Sequence, residues 1–182
     1  ALLYQRYKQL NSNNNPPSAL IKNIICNGAE DLGNPGPDFR YGFGRINALT
    51  AVRILEDNRY AMNTVATGAF NDVNITVPAG AVRLRAMLTW NDPAAAANSN
   101  PSLVNNLDLS VINGAATTLP WVLDKAVPGA NATKAVDNIS NIEQVTVTNP
   151  PAGSYTLKVN GTAVATGPSQ SYSLTWIIDQ QY

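Results

Sequence analysis

The side chains best suited to chemistry in this chain are oxygen donors: Asp92, Asn105, Asp108, Asp137, Asn138 and Glu143. The chemistry they suggest is that of a hard cation such as calcium, which gathers about six to eight oxygens at roughly 2.3–2.6 Å. All lie near the ends of alternating apolar segments, and no dense D-x-D-x-D loop accompanies them. In Leu107-Asp108-Leu109, Asp108 points away from the apolar face and serves equally well as an acceptor for a neighbouring loop. Structural hydrogen bonding is therefore the first reading of the set. Calcium held by Asp92, Asn105, Asp108, Asp137 and Glu143 is the second.

Other chemistries are excluded or reduced. The chain has 182 residues and no histidine, so it cannot assemble a Ser-His-Asp triad. Cys26, the single cysteine, has no partner for an intrachain disulfide and sits in the apolar run Ile24-Ile25-Cys26, which reads as a buried small side chain. Twelve basic and twelve acidic residues cancel, and a nucleic-acid partner would require clustered cations. No apolar run is long enough to span a bilayer. Trp90 and Trp176 are in phase with core positions; Trp121, between Pro120 and Val122, is the one candidate for an exposed carbohydrate platform. Arg83 and Arg85 read as the solvated face of a strand.

These side chains are positioned by two regions of different periodicity. Residues 1–58 read as helical. A helix tail over 1–10 is followed by an Asn- and Pro-rich loop. A second helix runs from Ser18, its cap, to about Asn27, with Leu20, Ile21, Ile24 and Ile25 as its apolar stripe and Gly28 at its C-terminal end. The turn Tyr41-Gly42-Phe43-Gly44-Arg45 then leads to Asn47, an N-cap, and a third helix burying Ala48, Ala51, Val52 and Leu55. From Tyr60 the period becomes two: Val82 to Leu88, Leu107 to Val111, Val145 to Val147, Tyr155 to Val159 and Tyr172 to Ile178 alternate apolar and polar residues. Turn clusters such as Asn113-Gly114 and Pro150-Pro151-Ala152-Gly153 separate them. The fold class expected is mainly β, an antiparallel β-sandwich or jelly roll over 59–182, preceded by a short helical segment over 1–58.

The order of motifs in the helical segment resembles the end of a subtilisin-like serine protease (subtilase) domain. Ala1-Leu2-Leu3, Pro17-Ser18-Ala19-Leu20-Ile21-Lys22, Gly28-Ala29-Glu30-Asp31 and Gly42-Phe43-Gly44-Arg45-Ile46-Asn47-Ala48 follow one another as in that family. The second region resembles the β-sandwich appended to some secreted bacterial subtilases. It carries Leu88-Thr89-Trp90-Asn91-Asp92, Leu103-Val104-Asn105-Asn106-Leu107-Asp108-Leu109, Asn141-Ile142-Glu143 and Gly153-Ser154-Tyr155-Thr156-Leu157. Asn106 departs from the family pattern, which has Asp there. The family's catalytic serine, histidine and aspartate would all lie upstream of Ala1, so none transfers to a residue of this sequence.

The resemblance implies a non-catalytic C-terminal piece of a secreted, bacterial serine endopeptidase, with a sandwich that stabilises the catalytic domain and aids substrate binding. Its partners would be the upstream catalytic domain and the parent's protein substrates, with neither nucleic acid nor membrane involved. The alternative is an autonomous polysaccharide- or protein-binding module. In an intact α/β domain the helical stripes would cover a parallel sheet that this sequence does not contain. They must dock on the sandwich, pair with another copy or stay disordered, and self-association or partial disorder is the expectation.

Overall fold

A computed structural model describes residues 1–180. It contains α1 (Leu2–Leu10), α2 (Ser18–Asn27) and α3 (Ala48–Glu56), followed by ten strands. Strands β1 (Tyr60–Val65), β3 (Ala81–Trp90), β8 (Ile142–Thr148) and β10 (Gln170–Gln180) form one antiparallel sheet in the order β1-β10-β3-β8. The second sheet has the order β2-β9-β4-β5, from β2 (Phe70–Val77), β4 (Asn105–Asn113), β5 (Ala116–Thr118) and β9 (Gly153–Val164). β6 (Trp121–Val122) and β7 (Thr133–Lys134) make a small ribbon. The fold is mainly β, an antiparallel sandwich, as the period-two segments predict.

The sandwich core lies between the two sheets. Leu84, Ala86, Leu88 and Trp90 of β3 meet Leu107, Leu109 and Val111 of β4, with Val145, Leu157, Val159 and Leu174 around them. These are the residues that alternation assigns to the inner face. The outer face of β3 departs from the expectation. Arg85, Met87 and Thr89 are buried as well, because α2 lies across β3 and β10 and covers that face. Arg85 is not solvated: its Nη1 donates to Ala29 O at 2.8 Å. Arg83 Nε donates to Asp179 at 2.7 Å.

The helices dock on the sandwich, the first of the three arrangements open to their apolar stripes. Tyr7, Leu20, Ile24, Ala51, Ile54 and Leu55 form a second core with Ile177 of β10. The buried face of α2 is Ala19, Leu20, Asn23, Ile24 and Asn27; Ile21 and Ile25 are only half-buried. Two asparagines thus take positions that apolar periodicity gives to isoleucines, because they bond to the sheet beneath. The buried face of α3 is Ala51, Ile54 and Leu55, and Ala48 is exposed.

Helix ends separate correct from incorrect local readings. Asn47 caps α3, its Oδ1 accepting Thr50 N at 3.0 Å. Ser18 does not cap α2: Pro17 holds that position in extended geometry, and its carbonyl accepts from Leu20 N at 3.1 Å. Ser18 Oγ accepts instead from Asn91 Nδ2 at 2.9 Å. Gly28 ends α2 in a right-handed conformation, φ −75°. A Cβ there would lie 2.8 Å from Ile24 O in the last turn of α2 and 3.1 Å from Ala51 N of α3, so glycine is favoured by crowding from its own helix and from α3 rather than by a left-handed turn. At Gly44 both reasons hold: φ is +104°, and a Cβ would fall 2.0 Å from Glu30 O.

Candidate functional site

The residues proposed as oxygen ligands divide into two separate groups. Asp92 follows β3, and its carboxylate accepts Val104 N at 2.7 Å and Asn105 N at 2.8 Å, one with each oxygen. Asn105 is buried; its Oδ1 accepts from Thr166 N at 2.9 Å while its Nδ2 donates to Thr166 O and Gln170 Oε1. Its main-chain oxygen accepts from Trp90 Nε1 at 2.9 Å. Asp92 and Asn105 therefore act as a latch that closes the loop between β3 and β4. Their side-chain oxygens are already engaged.

The second group surrounds the open edge of β4. β9 pairs with β4 from Asn105 to Ile112, but β5 reaches only Val111 to Asn113. The main-chain N–H of Leu109 is left on the uncovered edge. Glu143, in phase with the core residues Val145 and Val147 on β8, is 1 % exposed, and its Oε2 accepts that N–H at 2.7 Å. A carboxylate in an apolar interior is disfavoured. Burial pushes the Glu143 carboxyl up to about 9; the Leu109 N–H opposes this, while Asp108 and Asp137 add to it.

Asp108 lies one residue before Leu109, on the opposite face of β4. Its Oδ2 accepts a hydrogen bond from Thr162 Oγ1, and Thr162 is the extra residue where the pairing of β4 with β9 shifts register between Asn106 and Leu107. Burial raises the Asp108 carboxyl above its ordinary value; Thr162 opposes this and Asp137 adds to it. Asp137, in the loop before β8, is buried, and its Oδ1 accepts from Ile139 N at 2.8 Å and Ser140 N at 3.1 Å. The next residue, Asn138, accepts from Asn106 Nδ2 at 2.9 Å. Among the described residues no three His, Cys, Asp or Glu side chains converge closely enough to hold a metal ion by themselves. Asn106 is the residue that sequence reasoning left out, having weighed it only as a missing negative charge.

A groove of about 290 Å³ runs beside this corner, lined by Phe39, Phe43, Trp121, Leu123, Lys125 and Ile139. Trp121 is half-buried. Its Nε1 donates to Thr146 Oγ1 at 3.1 Å, Lys134 Nζ stands 5.0 Å from its ring centroid, and Gly36 packs close against it. The ring is thus partly walled in, not a bare platform. Trp90 is in the core and Trp176 packs against it.

Cys26 is half-buried rather than fully buried, and burial raises its thiol above the ordinary value. No helix among the described residues is long and apolar enough to cross a membrane.

No protein-family model matches the sequence. Among curated proteins, the chain is similar to the "Serine protease/ABC transporter B family protein tagA" of Dictyostelium discoideum, with 29% identity over 171 residues. The match covers 87% of this chain and 10% of that protein, so the chain spans about a tenth of its relative's length. This is a distant link to a protein named as a protease.

Proposed function

We propose that this chain is a non-catalytic segment of a secreted subtilisin-like serine endopeptidase, whose jelly-roll-like sandwich buttresses the catalytic domain and flanks its substrate cleft. The observation that carries the reading is the division of the helical surface. α2 buries its Asn23 and Asn27 face in hydrogen bonds to the sandwich, whereas Leu2, Ile46 and Leu49 are 71%, 68% and 60% exposed on α1, before α3 and on α3. An upstream domain resting on these residues would give them a partner, and the subtilase-like order of motifs supports such a domain. The distant similarity to a protease-named protein agrees in direction.

The test is to extend the native gene upstream of Ala1 and express the longer protein with and without residues 59–182. The reading expects a G-T-S-x-A-x-P motif upstream, hydrolysis of a protein substrate, and a lower melting temperature without the sandwich. An upstream sequence with no such motif would overturn it.

A second reading, a binding module for polysaccharide or protein, has one observation in its favour. Phe39 and Tyr41 are 53% and 43% exposed, and Phe39 lines the groove beside Trp121. Binding of a glycan or peptide by the chain alone, lost in Phe39→Ala, would support this reading over the first.

A further inference from the structure

The outer face of β3 holds a buried charge that no anion meets with a hydrogen bond. The Arg85 side chain is 8% exposed. Its Nη1 donates to a neutral acceptor, Ala29 O, at 2.8 Å. Its Nη2 stands 3.7 Å from Asp179 Oδ2, beyond hydrogen-bond reach, and that oxygen already accepts from Arg83 Nε at 2.7 Å. Among the described residues Arg85 Nε has no partner. Burial is the chief influence on this guanidinium and lowers its pKa; Asp179 opposes this, Arg83 adds to it and Asp31 opposes it. A buried charge left without a hydrogen-bonded counterpart is costly. The Nε–Nη2 edge of a guanidinium is a fork that matches a carboxylate.

A cavity of about 140 Å³ opens beside this edge, lined by Arg83, Arg85, Asp31, Phe43, Thr146 and Trp121. Asp31 does not neutralise Arg85: its Oδ2 accepts from Gly36 N at 2.8 Å, and it forms no ion pair among the described residues. Lys134 Nζ donates to Thr146 O at 2.6 Å and is likewise without an ion pair among them. Arg83, Arg85 and Lys134 thus stand against Asp31 and Asp179, and the balance is positive. Phe43 and Trp121 also line the apolar groove that contains Phe39, so the basic cavity and the groove share a wall.

We propose that Arg85, with Arg83 beside it, receives the carboxylate of an acidic peptide side chain, while a bulky apolar residue two positions away occupies the groove along Phe39 and Trp121. Alternate residues of an extended peptide point to one face, which sets that spacing. The site rests on the binding-module reading, whose ligand class it names, and it does not need the protease reading.

The experiment follows the Nε–H resonance of Arg85 in the nitrogen-15-labelled full chain. Sodium acetate should shift it saturably, and sodium chloride at equal ionic strength should not. Acetyl-Ala-Glu-Ala-Leu-Ala-amide should bind about tenfold more tightly than its glutamine counterpart, as expected for a hydrogen bond to a charged group, and more tightly than acetate. Arg85→Lys, which lacks the fork, should erase the preference for glutamate. Should that variant fail to fold, Arg83→Gln, at the more exposed position, replaces it: Asp179, released from Arg83, would pair with Arg85 and shut out the peptide carboxylate. Phe39→Ala should weaken both peptides alike. Equal binding of the two peptides, lost in Phe39→Ala, would overturn the carboxylate site and leave the binding module standing. Acetate binding as tightly as the glutamate peptide would overturn a peptide as the source of the carboxylate. No response to any of these probes would overturn the site and the binding module together.

Discussion

Asn23 and Thr175, 152 positions apart, share a buried hydrogen bond in which Thr175 Oγ1 donates to Asn23 Oδ1. The bond joins α2 to β10, and both residues hold further buried bonds. Thr175 Oγ1 accepts from Asn27 Nδ2 at 2.9 Å. Asn23 Nδ2 donates to Met87 O at 2.8 Å and Ser173 O at 2.9 Å. Thr89 Oγ1 completes the seam by donating to Ala19 O at 2.9 Å. The helix is thus seated on the sheet by amides and hydroxyls as well as by Leu20 and Ile24.

Asn23→Ala removes the centre of this seam and strands several buried groups. Each unmet buried group costs about 1–3 kcal/mol, and partial relaxation should bring the total to about 3 kcal/mol. Urea unfolding followed by circular dichroism reads the loss. A loss below about 0.5 kcal/mol, the range of ordinary surface changes, would show that the helix is held by apolar contact alone.

Two glycines should respond in opposite order to what helix propensity suggests. At Gly28 the backbone suits any residue, yet Gly28→Ala drives a methyl against Ile24 O and Ala51 N. Overpacking of this kind costs about 1–3 kcal/mol. At Gly42, φ is +61° and nothing lies within 4 Å of a Cβ; Gly42→Ala should cost only the left-handed penalty of about 1–2 kcal/mol. Solving the Gly28→Ala structure tests the cause directly: α2 and α3 should move apart. Unchanged spacing with unchanged stability would refute it.

What the sequence revealed, and what it hid, follows from the range of the interactions. Leu84 to Leu88 and Leu107 to Val111 announced their strands because a residue's neighbours fix its face in a pleated strand. Asn47 announced its cap because the Thr50 N–H it meets is three residues away. Asn23 and Asn27 gave no such signal, since their partners Thr175 and Gln144 are more than a hundred positions distant. Arg85 looked solvated because nothing local reports that a helix covers its face. The acidic set was legible by composition only. Its division into an Asp92 latch and a Glu143 corner depends on which edge of β4 lacks a strand.

Asp38 should make the 31–43 loop sensitive to acid. Its carboxylate accepts from Tyr41 N at 2.6 Å, Arg40 N at 2.8 Å and Asn34 N at 3.0 Å. These bonds, that from Tyr41 foremost, hold its carboxyl below the ordinary 3.8. A depressed folded value means that the contribution is present above about 3.8 and is lost as pH falls through the folded value. Amide exchange in this loop should therefore rise below pH about 3.8, and Asp38→Asn should show faster exchange already at neutral pH. Acid-insensitive exchange at Tyr41 and Arg40 would rule the mechanism out.

The exposed side of α3 offers a direct probe of the proposed upstream domain. Leu49 is 60% exposed, while Ala51, Ile54 and Leu55 of the same helix are buried against α1, α2 and β10. Its exposure is therefore not a consequence of loose docking. With Cys26 changed to serine, Leu49→Cys should react quickly with a water-soluble maleimide in the chain alone. In the upstream-extended protein the same thiol should be protected, because an apolar surface of this kind is covered when its partner is present. Equal labelling in both proteins would mean that α3 faces solvent throughout, and the helical segment would then serve the sandwich alone.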